Sequence, residues 1–269
     1  MKRTLTIILT VAALAALLSG CGKSEAEQIA EVYSFFSEDS SIAESYNKIN
    51  KVCPDRPAGL SGTNDLIDYF TMMADRCGAG SDVNIFDMGP GKGRNILFEI
   101  PGKGKEKNKV TLIAAAVDTW SDSLSTRNDD LGCIAAFEVL NAYKSLNIKT
   151  RSTIRVYLYE SLGQDLGAAP YAEYSKSHPD EEHQIVFLLT SDQSAPKKVF
   201  AVGEPTSIYR TFSKVIPPYF EGYGEYTFER GETRAEAFPF KAPLYRYNID
   251  RDDAVNDISA VVSLITLLN

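Results

Sequence analysis

Several acidic side chains in this sequence stand where chemistry can be done. Asp118 directly follows the apolar run "VTLIAAAV", Glu160 ends "STIRVYLYE", Asp192 lies just past "QIVFLLT", and Asp129 with Asp130 opens a helical stretch. Carboxylates in such places can hold a metal ion, orient an imidazole or accept a proton from water. Each also has a sufficient structural role, and Asp129 and Asp130 would serve simply as helix caps. Imidazoles are scarce. The chain has two histidines, His178 and His183, both in the polar turn "SKSHPDEEHQ", where they read as solvated surface residues.

The elements that must position these acids follow from the hydrophobic rhythm. A helical stretch covers about 26–50, and another starts near Thr63 and Asn64 with Leu66, Ile67, Phe70 and Met73 on one face. Between them "CPDRPAGLSGTND" is a loop rich in Pro and Gly. "NILFEI" (95–100) alternates, whereas "VTLIAAAV" (110–117) is almost continuously apolar, the mark of a strand covered on both faces. Residues 131–146 are helical, with Ile134, Phe137, Leu140 and Tyr143 at helical spacing. Strands are expected at 152–160, at 184–190, in "KVFAVG" and in "PLYRYNI". Helices are expected at "LGAAPYAEYSKSH", near 205–216, and from about Asp253 to Leu268. Strands alternating with helices predict an α/β fold, a central mostly parallel mixed sheet with helices on both faces. In such sheets ligands bind beyond the carboxyl ends of the strands, where Asp118, Glu160 and the 190–192 segment fall. "GPGKGRN" precedes a strand and does not link a strand to a helix, so it fails as a phosphate loop.

The N-terminus gives an address. "MKRTLTIILTVAALAALLSGC" has two positive charges, an apolar run from Leu5 to Leu18 and a small-residue site before Cys21. That is the order of a secretory leader, and its apolar run falls short of the roughly 20 residues a membrane span needs. Leu-Ser-Gly-Cys resembles a bacterial lipobox, which implies a lipid on Cys21. The expected organisation is a signal peptide at 1–20, a lipidated Cys21 with a polar tether through 27, and one α/β domain over 28–269. The chain carries a net charge of −8, and losing Lys2 and Arg3 with the leader makes it more acidic still. An acidic surface argues against nucleic acid as a partner and leaves the membrane, reached through the lipid, as the expected contact. Export permits a disulfide, and Cys53 and Cys77, which flank one predicted helix, are the candidate pair. Cys133 lies on an apolar helix face as a small core residue.

Six segments, in order, resemble one family. "RPAGLSGTNDLIDYF" is similar to an N-terminal "RPAGSPG" and the helix after it, and "NILFEIPGKG" to "NVIAEIPGS". "IAAAVDTWSD" resembles "GAHLDSWD", and "NDDLGCIAAFEVL" resembles "TDDGAGVAAMLE". "STIRVYLYESLGQDLGAA" resembles "TIRFVLWDGEEQGLLGS", and "YNIDRDDAVNDI" resembles "YHTPDDTVDNL". These are segments of the zinc aminopeptidases of metallopeptidase clan MH, the group that includes the glutaminyl cyclases. The resemblance implies their three-layer α/β fold. It also implies a site of two zinc ions held by two His, two Asp and a Glu, with a neighbouring Glu as general base.

Carried over residue by residue, most of that set is missing. Ala116 stands where the first His would be, and Asp118 matches the acid that would orient it. Asp129 matches the bridging Asp, with Asp130 beside it. The glutamate pair falls on Leu162 and Gly163, or on Ser161 and Leu162. The second Asp matches Asp192 only with a one-residue slip, Ser191 otherwise standing in its place. The last His falls at Asn248–Asp250. Metal remnants are thus Asp129 and Asp192, and catalytic remnants are Asp118 and Glu160. No cofactor is expected, with zinc returning only if the site is rebuilt. Remaining carboxylates could hold Ca²⁺ or Mg²⁺, although a full cage takes about six oxygens. Glu160, two residues before Leu162 on the same strand side, could serve a rebuilt site with Asp165, or be a strand-end acid in water or paired with Arg155. Trp120 either packs or floors a pocket for a peptide end or sugar. The expectation is an inactive relative, a lipid-anchored envelope protein that binds a peptide, a glycan or another envelope protein. The alternatives are an active aminopeptidase or cyclase with a divergent metal site, and a subunit that docks an active partner.

Overall fold

The computed structural model describes residues 25–38, 41–52, 61–76, 79–87, 92–121, 126–128, 130–160, 167–190, 198–202, 227–230, 244–249 and 254–268. Three helices come first: α1 (Glu25–Glu38), α2 (Ser41–Val52) and α3 (Ser61–Arg76). The single helix expected at 26–50 is therefore two. The Ser/Asp run around residue 40 explains the division, because such side chains compete for backbone groups and favour caps over helix interiors. Residues 25–27, expected to be tether, form the first turn of α1. Glu, Ala and Gln are good helix formers, and acids suit the first turn of a helix.

The strands β1 (Gly80–Asp87) and β2 (Lys92–Ile100) form an antiparallel pair. Then follow β3 (Lys109–Ala116), a small ribbon of β4 (Thr119–Ser121) with β5 (Thr126–Asn128), and α4 (Asp130–Ser145). The chain continues through β6 (Thr153–Tyr159), α5 (Ala168–Lys176), β7 (Glu182–Thr190), β8 (Lys198–Val202), β9 (Thr227–Arg230), β10 (Leu244–Asn248) and α6 (Ala254–Leu268). The helix expected near 205–216 lies outside the described residues. β1 and the β4–β5 ribbon were not legible as strands, since neither carries an apolar run.

Among the described residues, eight strands make one sheet in the order β1-β2-β6-β3-β7-β10-β8-β9. The pairs β6–β3, β3–β7 and β7–β10 are parallel. The flanking pairs β2–β6 and β10–β8 are antiparallel, so the sheet is mixed with a parallel centre. From β3 the chain runs over α4 to β6 on one side. From β6 it returns over α5 to β7 on the other side. Right-handed crossovers in opposite directions must use opposite faces. The packing agrees. Ile113, Ala115 and Val117 share a core with α1, α2, α3, α4 and α6, whereas Leu112, Ala114 and Ala116 pack with Ala168 and Tyr171 of α5. The result is the expected three-layer α/β sandwich. β3 is buried along both faces, which explains its unbroken apolar composition.

Two close contacts fix α4. Phe137 packs between Phe70 and Phe98, at ring separations of 5.4 and 6.2 Å. Gly132 lies so near the end of β7 that a Cβ there would come within 2.8 Å of the Leu189 carbonyl oxygen. Cys133 is buried beside it, in the core role expected for it. Phe137→Ala should cost about 3–5 kcal/mol of unfolding free energy, measured by urea titration, because it empties the centre of this aromatic contact.

Candidate functional site

The parallel strands end at one level. Ala116 pairs with Tyr159, and the Val117 amide donates to the Tyr159 carbonyl at 2.9 Å. Ala115 pairs with Leu189, and the Ile249 amide donates to the Thr190 carbonyl at 2.7 Å. This carboxyl edge therefore brings together Ala116, Asp118, Glu160, Thr190, Asn248 and Ile249. Connections leave β3 and β6 toward opposite faces, and a crevice opens at such a reversal. Asp118 is 2% exposed and Glu160 is fully buried. Ala116 is also buried and presents only a methyl group. Among the described residues no three His, Cys, Asp or Glu side chains lie close enough to share a metal ion. Zinc takes nitrogen, sulfur or carboxylate ligands, commonly four. At the end of β3 the donor chemistry does not fit the first half of such a set. Asp129, Ser161, Leu162, Gly163, Asp165, Ser191, Asp192, Asp250, Cys21, Cys53 and Cys77 lie outside the described residues, as do the side chains of Trp120 and Asp130.

Glu160 has a definite task. One carboxylate oxygen accepts the Arg94 amide at 3.0 Å, while the Glu160 amide donates to Asn95 Oδ1 at 3.2 Å. β2 and β3 flank β6 on opposite sides, so this bond turns the carboxylate toward β2 and away from β3. The same knot fixes the entry to α5. The Gly167 amide donates to the Glu160 carbonyl at 2.9 Å. The Gly167 carbonyl accepts from Tyr157 Oη at 2.7 Å and from Asn95 Nδ2 at 3.3 Å. Burying such polar groups costs little only when each finds a partner. Asn95 is expected in a strand and Gly167 in a helix, and their role in this knot was not legible in the sequence.

Arg155 does not pair with Glu160. It is 1% exposed and lies at the other, amino edge of the sheet, where its guanidinium reaches Glu99 at 2.6 Å and Glu181 at 2.7 Å. An arginine inside a wholly buried strand was itself the signal, since such a charge requires paired acids. The histidines are found here too, and they are not simply solvated. His183 is half-buried, with Nε2 at 2.8 Å from Tyr171 Oη. His178 is half-buried as well and stacks on Tyr174 at 4.2 Å. Polar composition made this turn look exposed, but the aromatic residues of α5 fold over it.

Gly167 offers a direct check of the knot. A Cβ at this position would lie 2.5 Å from the Glu160 carbonyl oxygen and 2.8 Å from Asn95 Oδ1. Gly167→Ala should therefore lower stability by about 1–3 kcal/mol, the usual cost of overpacking, read from the shift in thermal unfolding. Asn95→Ala should cost a similar amount, about 1–3 kcal/mol, by leaving buried groups unsatisfied.

No protein-family model matches the chain. A segment of 98 residues, 36% of the chain, is 24% identical to Carboxypeptidase Q of Xenopus laevis and spans only 20% of that protein. Solved structures match far more of it. Fimbriiglobus ruber glutaminyl cyclase superposes with a TM-score of 0.62 at 11% identity, over 84% of this chain and 95% of that one. The Legionella pneumophila LapA aminopeptidase gives a TM-score of 0.64 at 13% identity, over 91% of this chain and 73% of that one. A leucine aminopeptidase precursor from Bacteroides thetaiotaomicron gives 0.62 at 15% identity, over 84% and 96%. The three-layer α/β fold expected from the sequence is thus that of known structures: the chain has the α/β architecture shared by the aminopeptidases and the glutaminyl cyclases.

Proposed function

We propose that this chain is a cell-envelope lipoprotein whose aminopeptidase-like domain lacks metal-dependent peptidase activity and acts by binding. One observation carries the reading. The buried methyl of Ala116 stands at the carboxyl end of β3, where the resemblance calls for the first metal histidine. The chain's two histidines belong to the opposite edge. His183 pairs with Val110 at the start of β3, six residues before Ala116. At a strand rise of about 3.3 Å per residue the two positions are roughly 20 Å apart. No side-chain rotation brings an imidazole across that span. Without it, the surviving acids lack the nitrogen ligands that a zinc pair of this type would use to activate a water.

The position of Glu160 supports the same reading. A general base must lie within hydrogen-bond reach of the water it deprotonates. The Glu160 carboxylate instead accepts a backbone amide of β2. The domain then offers its carboxyl-edge crevice, or the rim around it, to a peptide, a glycan or another envelope protein. The lipid on Cys21 would hold it at the membrane. With α1 starting at Glu25, three residues separate the anchor from the fold.

Protein purified without chelator should carry less than one equivalent of zinc or manganese by elemental analysis. It should not accelerate hydrolysis of aminoacyl substrates or cyclisation of N-terminal glutaminyl peptides when either metal is added. A stoichiometric transition metal together with turnover would overturn the proposal. The anchor is tested separately. Cys21→Ala should abolish incorporation of a labelled fatty acid and move the protein from the membrane to the soluble fraction.

A further inference from the structure

The amino edge of the sheet holds a chain of hydrogen bonds. Arg155 Nη1 donates to Tyr171 Oη at 3.4 Å. Tyr171 Oη lies 2.8 Å from His183 Nε2. In the neutral tautomer whose proton is on Nδ1, Nε2 accepts the Tyr171 hydroxyl. Tyr171 belongs to α5 and His183 to β7, so this bond ties the helix to the sheet. We propose that His183 is a pH-sensitive latch for α5: its protonation turns the acceptor of Tyr171 into a donor, adds a second cation beside Arg155, and loosens the helix from the sheet.

The surroundings of His183 decide which way it responds. From β6 comes Arg155. From α5 come Tyr171, at a ring separation of 5.7 Å, and Tyr174, on which Arg155 also lies at 5.1 Å. From the turn before β7 comes Glu181, and from the end of α5 comes His178. Glu99 of β2 occupies the other side of Arg155. On β3, Val110 is the partner in register, with Lys109 beside it opposite Glu182. Glu181 attracts a proton to His183, but its oxygens are already committed to Arg155 at 2.7 and 2.9 Å. Burial first and Arg155 second hold the imidazole down near 4, against an ordinary value of about 6.5. Glu181 is likewise held below the ordinary carboxylate range by its bonds to Arg155.

The sign follows from linkage. A depressed histidine stabilises the latched state fully above about pH 6.5, and that stabilisation is lost as the pH falls toward 4. Glu181 acts in the same direction but at lower pH, so the histidine loosens first. The effect reaches the other edge through α5 itself, because its entry at Gly167 is bonded to the Glu160 carbonyl.

Hydrogen exchange with mass spectrometry on the whole chain tests this, with protection corrected for the intrinsic pH dependence of exchange. Between pH 7 and about 4.5, peptides covering α5 should lose roughly tenfold in protection while β3 and β6 peptides keep theirs. His183→Gln keeps an acceptor for Tyr171 but does not titrate, and it should hold α5 protection nearly constant. His178→Gln should behave as wild type. An equal loss in His183→Gln, no loss in the wild type, or a uniform loss over all elements would overturn the proposal. If His183→Gln does not fold, NMR titration of the His183 imidazole in the wild type decides, and a midpoint at or above about 6.5 would overturn it.

Discussion

The pairing of β3 with β6 on one side and β7 on the other is the constraint on which the rest of the molecule depends. Every residue of β3 from Val110 to Ala116 is buried. Its backbone groups can therefore be satisfied only by neighbouring strands, and its side chains only by helices on both faces. Because β3 connects to β6 over one face and β6 to β7 over the other, the centre of the sheet is also where the connections part. In α/β sheets such a reversal is where ligands bind, whatever residues stand there. The fold by itself therefore does not fix the chemistry done there.

The two edges of the sheet have diverged in character. At the carboxyl edge the polar groups are inward-looking: Glu160, Asn95 and Gly167 satisfy one another and the adjoining backbone. At the amino edge a buried guanidinium draws Glu99, Glu181 and two aromatic residues of α5 around it. A buried ion pair of this kind adds little net stability against an apolar replacement, but removing one partner is costly. Its value lies in fixing where α5 sits. Burial also pushes the Tyr171 hydroxyl up, despite the opposing influence of Arg155, and keeps the phenol neutral and able to donate. α5 is thus held at its entry by the backbone bond of Gly167 and farther along by the contacts of Tyr171 and Tyr174 with Arg155 and His183.

Local pattern carried much of the fold because its causes are local. The unbroken apolar run of β3, the helical spacing of Ile134, Phe137, Leu140 and Tyr143, and the apolar closing helix all follow from side chains choosing core over water. Their alternation was enough to predict a parallel centre with helices on both faces. Weakly apolar β1 escaped notice because an edge strand buries one side at most. The division between α1 and α2 escaped because a few polar residues decide it. At the site, residue identity alone told that Ala116 offers no ligand and that imidazoles are too few. Identity did not tell where the histidines lie or which way Glu160 turns.

The sequence by itself determined the order of the elements, the acids at the strand ends and the absence of a histidine at position 116. Only the tertiary structure decided the partners. It sent Arg155 to Glu99 and Glu181 and away from Glu160, and it placed His183 at the start of β3's neighbour, roughly 20 Å from Ala116 along the strand. The physical reason is that a buried charge takes the partner that sheet register and helix packing bring within hydrogen-bond distance. Register is set by pairings between residues far apart in the chain, and no local pattern encodes it.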